Sequence, residues 1–88
     1  MIKKGTTPSG WEYEIDTDKL NDWALLDLLS EIDEGNLLAT PRFIKMVFGI
    51  GGKKSLEAFC RESSGRIDPR HLMDVAEEAL AAIEDGKN

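Results

Sequence analysis

The stretch Leu20–Arg42, LNDWALLDLLSEIDEGNLLATPR, fits a leucine-rich helix, a glycine stop and a Thr-Pro restart into one short span. A helix that ends so soon gains little by itself, since isolated helices below about 12–15 residues are marginal in water. A chain built this way must pack several short helices against one another. Asn21 is the expected N-cap of the first helix, with Asp22 in its first turn facing the positive end of the dipole. Leu20 and Leu25 have the spacing of a hydrophobic staple. Leu25, Leu28, Leu29 and Ile32 make one apolar stripe, with Leu26 at its margin and Asp27 and Glu31 toward water. Trp23, in the first turn, is read as a core or core-edge residue, its ring packed and its indole N–H near water. Gly35 is the expected stop.

The same punctuation organises the rest of the chain. Residues 1–10, MIKKGTTPSG, carry turn formers without periodicity and read as a flexible N-terminal arm. In Trp11–Asp16, Trp11, Tyr13 and Ile15 alternate with acids, which predicts a short strand. Its only candidate partner is the extended stretch around Arg66-Ile67. Thr40 as N-cap and Pro41 as first residue open a second helix. That helix crowds Phe43, Ile44, Met46, Val47 and Phe48 into six positions and ends at Gly49. Five large apolar groups exceed one helix face, so this helix either is the centre of the core or leaves part of itself exposed. Gly49–Lys54, GIGGKK, reads as a flexible linker, and Ser55 as the cap of a third helix with Leu56, Phe59 and Cys60 inward. Asp68-Pro69 starts a fourth helix, whose Leu72, Val75, Ala76, Ala79, Leu80 and Ile83 form the cleanest amphipathic stripe. Gly86 is its stop, and residues 86–88 read as a flexible C-terminus. The predicted fold is therefore mainly α: a single domain over residues 11–85, a bundle of about four short helices with a minor N-terminal β-strand or two-stranded pair.

An 88-residue chain has room for one small core. The lone Cys60 cannot form an internal disulfide, which fits a reducing compartment. No apolar run follows the basic start Met1-Ile2-Lys3-Lys4, and none approaches the roughly 20 residues of a membrane span, so a cytoplasmic protein is expected. The net charge of −6 is unevenly spread. Asp18–Glu34 holds six acids and one lysine, Pro41–Lys54 four bases and no acid, and His71 onward five acids and one lysine. This acid–base–acid order disfavours general nucleic-acid binding, which needs a dominant positive face, and suits a charge-steered protein partner.

Reactive chemistry finds little support. His71 is alone, with no second His or Cys nearby, and a first-turn surface position is expected for it. Cys60 beside Phe59 reads as a small buried hydrophobe. GIGGKKS, Gly49–Ser55, fails as a phosphate loop because Lys53 and Phe48 stand where glycines are required. Glu31, Asp33 and Glu34 lack the alternating spacing of a calcium loop. No catalytic residue, metal site or cofactor is expected, and the chain is not read as an enzyme. The candidate binding residues are Phe43, Met46, Val47, Phe48 and Ile50 with Lys45, an apolar patch beside a lysine.

The run NDWALLDLLSEIDEGN and its Thr-Pro-Arg restart resemble the tail assembly chaperones of long-tailed phages and prophages of Gram-positive bacteria. The matching elements are Asp22-Trp23, the Leu25–Leu29 cluster with Asp27, and the Ile32-Asp33-Glu34-Gly35 terminus. They continue in a second helix ending at Gly49 and a Gly65-Arg66-Ile67 turn into a closing amphipathic helix, so the resemblance spans Trp11 to Ile83. It breaks at Gly49–Lys54, where an acidic or glutamine-rich helix start is expected and two glycines and two lysines follow Ile50 instead. The resemblance implies a non-enzymatic cytoplasmic protein, absent from the finished virion. Such a protein binds the tape measure protein, keeps its apolar helical stretches soluble, helps recruit tail tube subunits and often self-associates. The alternative from another class is a small helical nucleic-acid-binding regulator using Arg42, Lys45, Lys53 and Lys54 around a helix-turn-helix-like spacing at Gly35.

Overall fold

The strand Glu12–Asp16 finds its partner at the very start of the chain. In the computed structural model, which describes residues 1–85, β1 (Ile2–Thr6) pairs antiparallel with β2 (Glu12–Asp16) in the register Ile2↔Asp16 and Gly5↔Tyr13. This corrects two expectations: residues 1–10 are not an arm, and Arg66-Ile67 is not the partner. β1 escapes a sequence reading because IKKGT has no alternation, and the strand is exposed apart from the half-buried Gly5. Gly5 has a specific reason: a Cβ there would lie 2.5 Å from the Tyr13 hydroxyl, so the Tyr13 ring uses the space glycine leaves. β2 itself alternates as expected, with Tyr13 and Ile15 buried and Glu12 and Glu14 exposed.

A two-stranded hairpin is marginal by itself and needs a surface to pack on. Trp11 provides the attachment. Its ring meets Phe48 edge-on at 5.0 Å, and its indole N–H donates to Ser55 Oγ at 3.1 Å. At the hairpin tip, Ser9 donates through its amide and its hydroxyl to the Glu78 carboxylate at 2.8–3.0 Å, joining the turn to the last helix.

After a 3-10 turn at Thr17–Asn21, α1 runs Trp23–Asp33. Its N-cap is Asp22, whose Oδ1 accepts from the Ala24 amide at 2.9 Å, and not Asn21, which ends the preceding turn. The shift moves Leu20 out of staple register, although it still packs on the core. The apolar stripe is as expected: Leu25 and Leu28 are buried, and Leu29 and Ile32 are half-buried. Glu31, expected in water, is half-buried as well. Gly35 closes the helix at φ 103°, its amide reaching Ile32 O and the Asn36 amide reaching Glu31 O, the paired bonds of a Schellman stop.

A second 3-10 turn, Leu37–Ala39, delivers the chain into α2 (Thr40–Ser64). Thr40 is not the N-cap. It already has helical angles, the cap is Ala39, and the Thr40 hydroxyl is buried without a hydrogen-bond partner among the described residues. α2 consists of two helical limbs that meet at Gly49, where φ 78° and ψ 175° put the backbone in a region essentially reserved for glycine. The expected flexible linker is therefore a one-residue corner, and Ile50 onward is already helical. Ser55 lies inside the second limb and receives Trp11 instead of capping. Gly65, at φ 78°, ends α2 as its C-cap.

Asp68 caps α3 (Pro69–Asp85), accepting from the Arg70 amide at 2.9 Å. The predicted stripe is inward: Leu72, Val75, Ala76, Ala79 and Ile83 are buried and Leu80 is half-buried. The expected stop at Gly86 and the tail 86–88 lie outside the described residues. The core joins Ile15 of β2, Phe43, Ile44 and Val47 of the first limb of α2, Leu56 and Cys60 of the second, and Val75 of α3. The four helical segments and the hairpin thus match the predicted class, mainly α with a small N-terminal two-stranded sheet.

Candidate binding surface

The residues expected to bind a partner are mostly in the core. Phe43, Val47 and Phe48 are buried, Met46 is half-buried, and only Ile50 and Lys45 are exposed. The reason is the position of α2. Its first limb has the hairpin against it through Phe48, and α1 and α3 also pack on α2, so its apolar groups join a core shared by several elements. Of the two outcomes open for this helix, the centre of the core is the one realised.

Apart from Ile50, which is 61% exposed, the large exposed apolar groups lie outside α2. Trp23 is 79% exposed, against the expectation of a core or core-edge residue. Trp23 stands about 200° around α1 from the buried Leu25. Leu26, three residues on, shares this outward face and is exposed. In the turn before α2, Leu37 is exposed and Leu38 is 90% exposed.

Leu37 and Leu38 form one wall of an apolar groove of about 290 Å³. Pro41 and Ile44 from the first turns of α2, and Ile67 and Leu72 from the entry to α3, supply the other apolar surfaces. The second limb of α2 contributes Lys53 and Glu57, which neutralise each other through a 2.8 Å ion pair. Thr40, with its unpartnered hydroxyl, also lines the groove.

A second hollow of about 810 Å³ lies between the hairpin and the Gly49 corner. Its walls mix Lys4, Lys19, Glu12 and Glu14 with the edges of Trp11 and Phe48. Neither depression gathers reactive chemistry. Among the described residues no three His, Cys, Asp or Glu side chains come together as a metal site. Cys60 is fully buried, and burial pushes its thiol up, the opposite of an activated nucleophile. His71, expected at the surface, is half-buried, with Nδ1 enclosed and unpartnered among the described residues. No described helix is long and apolar enough to cross a membrane.

Five of the eleven basic residues stand next in the chain to groove-lining residues. Arg42, Lys45, Lys54, Arg66 and Arg70 are all exposed, and each is the chain neighbour of a groove-lining residue. Sequence reasoning recognised the basic segment and missed this groove, because Leu37 and Leu38 fall between two helices and belong to no periodic stripe. Comparison of the chain with protein-family models, with curated proteins and with solved structures finds no match.

Proposed function

We propose that the chain is a phage or prophage tail assembly chaperone: a non-enzymatic cytoplasmic protein that binds the tape measure protein and assists assembly of the tail tube. The single observation that carries the binding role is the placement of large apolar side chains. The chain closes a core around Phe43, Ile44 and Val47, yet leaves Trp23, Leu26, Leu37 and Leu38 in water. Large apolar groups left exposed together with a groove mark interaction surfaces. The net charge of −6 keeps such a protein dispersed while it presents them. The phage assignment is supported by the resemblance of the Leu20–Arg42 run.

Holding an apolar helical client needs no reactive group. It needs a rigid frame, surface that accepts apolar side chains, and enough charge to stop the complex from precipitating. Co-expression with the tape measure protein encoded by the same phage tests the proposal. The tape measure protein should be recovered in the soluble fraction bound to this chain, and should be insoluble when expressed without it. A tape measure protein that stays insoluble and unbound in the presence of the chain contradicts the proposal.

A further inference from the structure

We infer that the groove between the Leu37–Ala39 turn, the start of α2 and the entry to α3 docks a protein helix whose apolar stripe is flanked by acidic residues. The inference rests on the chaperone reading for the identity of the partner, and on the groove for its chemistry.

The floor and walls are set by Leu37, Leu38, Pro41, Ile44, Ile67 and Leu72. Apolar side chains at i, i+3 and i+4 of an amphipathic helix are the usual occupants of such a depression. At about 290 Å³ it lies at the small end of ligand pockets (about 300–1,000 Å³), and it offers no set of converging polar groups to orient a small molecule. Leu38 rises at its edge, almost wholly in water, where an arriving side chain can cover it.

Charge selects among possible helices. The chain as a whole is acidic, yet the five exposed charged neighbours of the groove-lining residues are Arg42, Lys45, Lys54, Arg66 and Arg70. The two acids in this region are engaged. Glu57 is paired with Lys53, and Asp68 accepts the Arg70 amide at the cap of α3. An apolar slot whose lining residues have five exposed cations as their chain neighbours, on an otherwise anionic molecule, is complementary to an apolar stripe with anionic flanks. Rim charges of this kind steer encounter and reject partners of the wrong sign more than they add affinity.

The probes are two labelled synthetic helices with the same leucine stripe, one flanked by Glu and one by Lys, titrated with the whole chain by fluorescence anisotropy. The Glu-flanked helix should bind about tenfold more tightly at low salt, and the gap should narrow as salt shortens the Debye length from about 30 Å at 0.01 M to about 8 Å at 0.15 M. Leu38→Asp should abolish binding with the melting temperature unchanged, because the side chain it replaces makes little contact with the core. Lys45→Glu with Arg70→Glu, which leaves three cations against two acids, should remove most of the preference for Glu flanks.

Equal binding of the two helices overturns the inference, as does full binding by Leu38→Asp. A labelled DNA duplex that displaces the Glu-flanked helix would give the rim to nucleic acid instead. A wild-type dimer in sedimentation that Leu38→Asp dissolves would give the groove to a second copy of the chain. The two readings also fail separately. If Leu38→Asp still keeps the tape measure protein soluble, the groove inference falls and the chaperone reading stands. If wild type binds the Glu-flanked helix but not the tape measure protein, the reverse holds.

Discussion

Adjacent residues of one type do different work in this chain, and Gly51 and Gly52 show it most directly. Both sit in the first turn of the second limb of α2 with helical backbone angles. A Cβ at Gly51 meets nothing within 4 Å, whereas one at Gly52 would lie 2.6 Å from the Cβ of Phe48, a rigid part of a buried side chain. Gly51→Ala should therefore stabilise the protein by about 0.5–1 kcal/mol through lower unfolded-state entropy and better helix propensity. Gly52→Ala should destabilise it by about 1–3 kcal/mol, because Phe48 must move in a packed core. Chemical denaturation of the two variants beside wild type measures both signs. From the sequence alone GIGGKK reads as uniform flexibility. What distinguishes its glycines is the corner itself: Gly49 turns it, Gly51 is free, and Gly52 leaves room for the Phe48 Cβ.

At the scale of elements, the reading from sequence succeeds wherever an apolar stripe repeats at helical spacing and fails where an element depends on contacts made far along the chain. The stripes of α1 and α3 and the stop at Gly35 are set locally by side-chain spacing and backbone conformation, and they are legible. β1 is not, because IKKGT is held in the sheet by hydrogen bonds to β2 and by the Tyr13 ring over Gly5, not by a pattern of its own. Caps shift by one residue for a different, local reason: Asn21 ends the preceding 3-10 turn, and Thr40 is already helical. The end of the hairpin also has a pH dependence. Asp16 accepts the Asp18 amide at 3.1 Å and faces the Met1 amino group at 3.4 Å, and these contacts hold its carboxyl below the ordinary aspartate range, the amide bond having the larger effect. A lowered value in the folded state gives stability that is present above the ordinary aspartate value and lost as pH falls through the lowered one. Amide protection at Thr17, whose N–H donates to the Met1 carbonyl at 2.8 Å, corrected for intrinsic exchange, should weaken as pH drops below about 4. In Asp16→Asn, which keeps the capping oxygen without the titration, that dependence should disappear.

At the scale of the whole molecule, a small core is closed by α2 and the apolar surplus is displaced to other surfaces. The run Phe43–Phe48 is the most apolar in the chain, and its very density makes it the centre of packing. The large apolar side chains left exposed include Trp23 and Leu26 on α1, Leu37 and Leu38 before α2, and Ile50 just after the Gly49 corner. The sequence displays these residues plainly, but which apolar groups stay outside depends on helix phase and on how the four segments meet. The charge blocks acquire meaning in the same way: residues of a basic stretch that looks like a weak nucleic-acid signal stand next in the chain to the lining of an apolar groove, as do Arg66 and Arg70 at the entry to α3.

The division between core and surface is tested most directly by measuring melting temperature and retention of the tape measure protein together, on Phe43→Ala and Leu38→Asp. Phe43→Ala should cost about 3–5 kcal/mol of stability and show as a steep fall in melting temperature. Leu38→Asp should melt like wild type and lose the tape measure protein. Retention of the tape measure protein by Leu38→Asp, with Phe43→Ala losing it at an unchanged melting temperature, would contradict this assignment and return the binding surface to α2.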